Sequence, residues 1–213
     1  QLAGQTEEEF HTSRIQILSE LTRLRLLCCD PALEYEDYQG GSAKLELCMD
    51  LVKNAVEGGH KILLFSQFTS MLSRIAHRLE KEEIRYYLLT GSTPKERRVQ
   101  MARSFNEDDT PVFCISLKAG GTGLNLTGAD LVIHYDPWWN GAGENQATDR
   151  AHRIGQKQVV TVYRLIAGET IEEKIAELQE QKRKLADQVL GGREMGQTTF
   201  SREELLELLD GSM

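Results

Sequence analysis

Five short apolar runs divide the central part of the chain, and helical or polar segments separate each run from the next. The runs cover residues 61–65, 84–89, 111–115, 130–134 and 159–166. The first run, 61–65, is typical of a strand that is buried on both faces. Because strands that alternate with helices favour parallel pairing, the sequence predicts an α/β protein. We expect a three-layer, open, mostly parallel sheet with helices on both faces.

Helical periodicity fills the rest of the chain. The predicted helices cover residues 10–29, 43–56, 69–80, 94–105, 170–190 and 201–209. Ser42 is the expected cap of the second helix, and Thr93–Glu96 and Thr170–Glu173 have the spacing of capping boxes. The last long helix carries an apolar stripe shorter than three heptads, which favours a brace against the core over a coiled coil.

The bulk composition excludes several classes of protein. The chain has 213 residues, a net charge of -8 and 40% hydrophobic residues, which is ordinary for a globular protein. No apolar run approaches the roughly 20 residues that cross a membrane. The four cysteines lack the spacing of a zinc site, and we expect buried, reduced thiols. The chain begins at Gln1 without an initiator Met, so we expect a fragment of something longer.

Polar and glycine-rich residues follow four of the predicted strands. These loops cover residues 66–68, 90–93, 116–123 and 135–140. In an open parallel sheet the carboxyl ends of the strands form the ligand-binding edge. The glycine-rich loop 116–123 is compatible with backbone N–H groups that bind a phosphate, and equally with a tight turn. It lacks the spacing of the usual phosphate-binding loop of nucleotidases.

The segment 146–156 carries the strongest polar pattern. On a helix, Gln146, Arg150 and Arg153 lie within about 60° of one another. Two guanidinium groups directed at one place suit phosphate oxygens. A solvated helix face with ion pairs to Asp149 or Glu144 explains the same spacing.

The two tryptophans, Trp138 and Trp139, are adjacent on a predicted loop. One is expected in the core and the other at the surface, where its ring could stack on a base or sugar. Partial burial of both rings under the loop is the alternative.

Together these segments resemble the second RecA-like lobe of a Swi/Snf-type ATPase, in the double-stranded-DNA translocase branch of the second helicase superfamily. The segments that carry the resemblance are 61–68, 89–93, 116–125, 134–140 and 146–156, in that order. The segment 24–33 is similar to the stretch that leads into this lobe. Residues 1–41 are then a helix and connector from the missing first lobe, 42–168 the lobe itself, and 169–213 a brace helix with a short terminal helix.

The resemblance implies roles for individual residues. Arg150 and Arg153 would be arginine fingers that Gln146 helps to place. Gly121, Gly123 and Asn125 would line the nucleotide side of the cleft. The residues that would face the DNA backbone are Gln67, Gly91, Ser92, Ser116, Lys118, Gly120 and Trp139. No metal-ligating residue is implied.

The resemblance also implies the context of the activity. The full-length enzyme would bind ATP and Mg²⁺, both held mainly by the first lobe, and the isolated chain would be inactive and hold no cofactor. The expected partners are double-stranded DNA and the first lobe of the same polypeptide, with no membrane and a monomeric state. A bacterial cytoplasm, at the nucleoid, is expected, or the nucleus in a eukaryote.

Two other functions fit parts of the sequence. One is the second lobe of an RNA or DNA strand-separating helicase, and the other is a stand-alone binding module. One departure from the family concerns Gly141 and Gly143, where the family usually has Pro and Val. Glycine loses more backbone freedom on ordering, so we expect a looser start to the finger helix.

Overall fold

Five parallel strands form a single sheet at the centre of the molecule. The computed structural model describes residues 7–120, 124–139, 141–149, 151, 159–190, 204 and 208. The strands are β1 (Ile62–Ser66), β2 (Tyr86–Leu89), β3 (Val112–Ser116), β4 (Leu131–His134) and β5 (Thr161–Arg164). Their order is β2-β3-β1-β4-β5, and all four pairings are parallel. The predicted α/β fold is confirmed.

Helices cover both faces of this sheet. They are α1 (Glu7–Cys29), α2 (Ala43–Glu57), α3 (Thr69–Lys81), α4 (Lys95–Glu107), α5 (Leu117–Gly120), α6 (Gly141–Thr148) and α7 (Ile171–Leu190). A 3-10 turn at Pro31–Leu33 follows α1. Within the residues described, no helix is both long and apolar enough to cross a membrane.

The central strand β1 builds two cores because its side chains alternate between the faces of the sheet. Ile62 and Leu64 lie in a cluster with residues of α2 and α3. Leu63 and Phe65 lie in a second cluster, which contains Phe105 of α4. All five residues of β1 are buried. The prediction of a strand covered on both faces is therefore confirmed.

The long helix α7 packs against α1, as a brace would. Leu21 of α1, Ile175 of α7 and Leu208 form a third buried cluster. A buried ion pair between Lys44 and Glu172 also ties the first turn of α2 to α7. The Glu172 carboxylate also accepts from the backbone N–H of Ala167 at 2.9 Å and from the Cys29 thiol at 3.9 Å, so three donors compensate its charge.

The predicted helix starts are correct at one position and wrong at another. Ser42 caps α2, since its Oγ accepts from the N–H of Leu45 at 3.2 Å. Thr93 does not cap α4, because Pro94 is the cap residue and provides no side-chain hydrogen bond. The Thr93 hydroxyl instead accepts from the N–H of Thr90 at 3.1 Å and closes the loop after β2.

The second predicted capping box, at the start of α7, forms with altered partners. The Thr170 hydroxyl accepts from the N–H of Glu172 at 3.1 Å. The Glu173 carboxylate accepts from the N–H of Glu169 at 2.7 Å, one residue before the expected donor. The free N–H groups of the first turn are still satisfied in part by side chains.

Candidate functional site

A buried carboxylate joins the carboxyl ends of β1 and β4. Asp136 has no solvent exposure and accepts hydrogen bonds from the Ser66 hydroxyl and from the Gln67 backbone N–H, the latter at 3.2 Å. Burial raises its pKa, and the nearby Arg25 guanidinium and Ser66 hydroxyl oppose that rise. Two strand-end loops that were predicted to bind ligand are thereby held together.

Arg25 of α1 completes this network from outside the sheet. It is 2% exposed, and its Nη2 lies 3.6 Å from Asp136 and 2.7 Å from the Pro137 carbonyl oxygen, to which it donates. Its Cζ lies 4.3 Å from the ring centroid of Trp139 and 5.2 Å from that of Phe68. Burial lowers the pKa of Arg25, while Asp136 opposes the shift, and a guanidinium remains charged in proteins.

Sequence reasoning missed Arg25 as part of the site. The helical spacing gave one indication, because Arg25 lies one turn after Leu21 on the buried face of α1. A charged residue on a buried stripe requires a partner elsewhere in the chain. Periodicity shows that requirement, but it does not identify Asp136 as the partner.

Gln67 was predicted to face DNA, and its side chain is engaged within the protein. Its Nε2 donates to the Pro137 carbonyl oxygen at 2.7 Å, and its Oε1 accepts from Arg25 at 3.4 Å. The residue is half-buried. Gln67 therefore helps to hold the loop after β4 against the loop after β1.

The loop after β2 presents two of the predicted DNA-facing residues at the surface. Gly91 and Ser92 are exposed, and a Cβ added at Gly91 would meet nothing within 4 Å. Arg98 of α4 donates to the carbonyl oxygens of Gly91 at 2.9 Å, Thr93 at 2.6 Å and Ala119 at 3.4 Å. This guanidinium ties the loop after β2 to the turn after β3.

The first four residues after β3 form a helical turn. Phosphate binding and a tight turn were both expected for the loop 116–123, and its residues 121–123 lie outside the described part of the chain. Helix α5 begins directly after β3 and contains Lys118 and Gly120, whose backbone alone is described. Ser116 is 1% exposed, and its Oγ has no hydrogen-bond partner in the described part of the chain. In this arrangement the Ser116 hydroxyl does not reach the surface.

The predicted nucleotide-side residues are described only in part. Gly121 and Gly123 lie outside the described residues. Asn125 is exposed, and its carbonyl oxygen accepts from the Asn106 side chain at 2.9 Å. Asn125 is thus held against the end of α4 through its backbone.

Trp138 is a core residue, as the first expectation had it, whereas Trp139 is half-buried and not at the surface. Trp138 is 8% exposed and packs edge-on against Phe65 and His134, with ring centroids 6.4 and 5.7 Å apart. Trp139 packs against the third cluster and lies under the guanidinium of Arg25. One face of the Trp139 ring is therefore already covered.

Gly143 permits α6 to approach the Trp138 ring closely. A Cβ at position 143 would lie 2.9 Å from Cε3 and from Cζ3 of Trp138. Contacts under 3.0 Å require one of the groups to move. Packing against the Trp138 ring therefore favours glycine at position 143. The departure from the usual family pattern did not indicate this contact.

Two polar links hold α6 to the sheet. His134 of β4 shares a hydrogen bond with the Thr148 hydroxyl at 3.0 Å. The buried Glu144 carboxylate pairs with Arg164 of β5. Burial, aided by the charge of Arg164, lowers the pKa of His134 to about 3, so its ring is neutral near pH 7. The alternative, in which Arg150 and Arg153 pair with Asp149 or Glu144, stays a prediction because both arginines lie outside the described residues. The Glu144 carboxylate is engaged by Arg164.

The helix that carries the polar pattern has different limits from the predicted ones. It was expected to include Gln146, Arg150 and Arg153, but α6 ends at Thr148, and the Ala151 N–H donates to the Thr148 carbonyl oxygen in the turn that follows. The Thr148 hydroxyl lies 3.1 Å from the Glu144 carbonyl oxygen of the preceding turn, a local bond that competes with helix continuation. Gln146 lies within α6. Arg150 and Arg153 lie outside the described residues.

The family described as the helicase conserved C-terminal domain matches residues 43–155, which is more than half of the chain. The chain belongs to this helicase family. Within it, the fold and the relatives are of the Swi/Snf type, so the chain is a C-terminal RecA-like lobe. The resemblance drawn from the motifs is confirmed.

Solved structures support this assignment. The C-terminal domain of the Sulfolobus solfataricus SWI2/SNF2 ATPase is 32% identical, with a TM-score of 0.72, over 100% of this chain and 87% of that chain. The ATPase core of the same protein in complex with double-stranded DNA is 36% identical, with a TM-score of 0.70, over 92% of this chain and 42% of that chain. The helicase C-terminal lobe described here therefore has neighbours solved both alone and with DNA.

Curated relatives include bacterial and eukaryotic proteins. An uncharacterized ATP-dependent helicase of Mycoplasma pneumoniae is 41% identical over 202 residues, which cover 93% of this chain and 19% of the relative. The chromatin-remodeling ATPase INO80 of Cryptococcus neoformans is 41% identical over 170 residues, which cover 79% of this chain and 10% of the relative. The chain thus spans about a fifth of the length of the bacterial relative and about a tenth of the length of the INO80 relative.

Proposed function

We propose that this helicase C-terminal lobe is the second motor lobe of an ATP-dependent double-stranded-DNA translocase. The observation that carries the proposal is the attachment of α6 to β4 and β5 through Thr148 and Glu144. This attachment holds α6 beside the strand-end loops that the motifs assign to DNA. One edge of the sheet then serves both nucleotide and DNA.

In this proposal ATP binds between two lobes and the present lobe supplies cations to it. Arg150 and Arg153 are the arginine fingers, and Gln146 helps to place them. Arginine fingers offset the charge that develops on the transferred phosphoryl group, and they contribute about 10³–10⁵-fold in rate. Gly121, Gly123 and Asn125 line the nucleotide side of the cleft.

ATP and Mg²⁺ are held mainly by the first lobe in this proposal. In the part of this chain that the structure describes, no group of three or more His, Cys, Asp or Glu side chains could hold a metal ion. Mg²⁺ bound to ATP would neutralise phosphate charge at the cleft. The contribution of this lobe is to bring guanidinium groups to the triphosphate when the lobes close.

DNA contact in this proposal is directed to the sugar-phosphate backbone, which suits tracking without base readout. The exposed Gly91 and Ser92 are accessible to a phosphate as the loop stands. Lys118 and Gly120 lie on the neighbouring turn after β3. Ser116 would contribute only after rearrangement of that turn, since it is buried.

The proposal is tested in the full-length protein that carries this lobe. We expect Arg150→Ala and Arg153→Ala each to abolish DNA-dependent ATP turnover while DNA binding is largely retained. Arg103→Ala is the matched control, because Arg103 is an exposed arginine paired with Glu107 on the surface of α4. Full turnover by both finger variants would exclude the proposed role.

The isolated 213-residue chain provides a second test. Because it carries one side of the site, we expect negligible ATPase activity with or without DNA. Robust DNA-stimulated hydrolysis by the purified chain would contradict the proposal. Strand displacement by the full-length protein would instead favour a strand-separating helicase.

The partners and location follow from the same proposal. They are double-stranded DNA and the first RecA-like lobe of the same polypeptide, in a monomeric protein at the bacterial nucleoid. The bacterial relatives support the bacterial location, and the INO80 relatives support a nuclear one for a eukaryotic source.

A further inference from the structure

Arg25 belongs to a helix outside the matched family region, yet it contacts the loops at the carboxyl ends of β1 and β4. Helix α1 ends at Cys29, and the family match begins at residue 43. The Arg25 guanidinium nevertheless donates to Gln67, which follows β1, and to Pro137, which follows β4. Among residues 14–29 of α1, whose side chains the structure describes, no other charged side chain is buried.

Helix α1 also contacts the body of the lobe without a charge. Leu21, one turn earlier, packs against Ile175 in an apolar cluster. A buried ion pair often contributes no more stability than apolar residues of similar volume. The Arg25–Asp136 pair even leaves Arg25 Nε without a hydrogen-bond partner among the described residues. Stability alone therefore gives little reason for an arginine at this position.

The contacts of Arg25 instead define the orientation of two groups. Because Gln67 Oε1 accepts from the guanidinium, its Nε2 is directed to the Pro137 carbonyl oxygen. The guanidinium also lies over the Trp139 ring at 4.3 Å, a distance typical of a cation–π contact. Both Gln67 and Trp139 belong to the set assigned to the DNA face.

We propose that Arg25 is a positioning residue that couples helix α1 to the DNA-facing edge of the lobe. A displacement of α1 would move the guanidinium relative to Asp136, and with it the Gln67 amide and the Trp139 ring. The planar fork of arginine can bind a carboxylate, a carbonyl oxygen and a ring face together, which a lysine cannot do. The link to DNA rests on the proposed function, whereas the positioning of Trp139 does not.

The positioning is tested on the 213-residue chain by tryptophan fluorescence, since Trp138 and Trp139 are its only tryptophans. Trp138 is largely shielded, so acrylamide quenching reports mainly on Trp139. We expect Arg25→Met to raise the quenching constant and Arg25→Lys to raise it less. In a Trp139→Phe background the response to Arg25→Met should vanish.

Two further variants separate positioning from folding. Arg25→Met with Asp136→Asn removes both charges, so no buried ion is left unpaired, and we expect this double variant to fold and still show raised quenching. Arg74→Lys is the matched control, because Arg74 pairs with Asp30 at the end of α1 at 2.7 Å. Circular dichroism confirms folding of each variant. Unchanged quenching in a folded double variant would overturn the proposal.

The coupling to DNA is tested in the full-length protein. We expect the double variant to raise the DNA concentration that half-maximally stimulates ATP hydrolysis, because the Gln67 amide and the Trp139 ring lose the contacts that orient them. The turnover rate at saturating DNA should be retained, since Arg25 does not touch the nucleotide in this proposal. Altered quenching with an unchanged DNA requirement would overturn the coupling. Loss of the proposed function itself would show separately, as full turnover by Arg150→Ala.

Discussion

Substitution of Gly143 by alanine sets two opposing effects against each other. Gly143 lies within α6, where alanine is favoured over glycine by up to about 1 kcal/mol through helix propensity. The new Cβ, however, would lie 2.9 Å from two ring atoms of Trp138. Overpacking of this kind costs about 1–3 kcal/mol.

The surroundings of Trp138 decide which effect is larger. Its ring is 8% exposed and packs against Phe65 and His134, so it cannot move away into solvent. The ring or α6 must therefore shift within a packed core. We expect Gly143→Ala to destabilise the chain by about 1–2 kcal/mol, which lowers Tm by about 2–8 °C in a protein of this size.

The assays are urea unfolding of the 213-residue chain and ATP turnover of the full-length protein. If Gln146 of α6 helps to place the arginine fingers, as in the proposed function, displacement of α6 should lower turnover by about tenfold to a hundredfold, the effect of misplacing a catalytic group by about 1 Å. Gly168→Ala is the control, since its Cβ would meet nothing within 4 Å. An increase in stability for Gly143→Ala would refute the packing argument.

Two further predictions concern buried charge. Because His134 has its pKa lowered to about 3 from 6.5, its unfolded form binds a proton that the folded form does not, so stability should fall by about 1.4 kcal/mol per pH unit from pH 6.5 towards pH 3. Urea midpoints of the wild type and His134→Gln between pH 7 and 4 measure this, and equal pH slopes would contradict it. Lys44→Met leaves the fully buried Glu172 carboxylate without its cation and should cost about 3–5 kcal/mol. Adding Glu172→Gln should recover most of that loss in thermal unfolding, and no recovery would argue against the ion pair as the cause.

The strands were predictable because each is a short apolar run, but their limits depend on partners that a run does not show. Residues 159–166 were predicted to form the last strand, whereas β5 covers Thr161–Arg164. Its register with β4 pairs Leu131 with Thr161 and His134 with Arg164, so the short neighbour sets the length of the ladder. Val159, 89% exposed, lies outside it.

The edge of the sheet that carries the candidate site was predictable, but the side-chain contacts along that edge were not. Placement of polar loops at the carboxyl ends of strands follows from parallel topology alone. The pairs Arg25–Asp136 and Glu144–Arg164 join residues that are distant in the sequence, and no periodicity encodes such a choice of partner. The bond between Thr148 and His134 has the same origin, because it depends on tertiary structure.

The central position of β1 has a consequence for synthesis of the chain. Both neighbours of β1, namely β3 and β4, are translated after it, and β2 does not pair with it. At about 5–20 residues per second, the apolar segment Ile62–Ser66 waits about 2–10 s before Val112–Ser116 is made. Protease protection of ribosome-bound chains should therefore first reach β1 only after β3 has left the exit tunnel, and earlier protection would contradict this order. Until then, both hydrogen-bonding sides of the future central strand are open to chaperones.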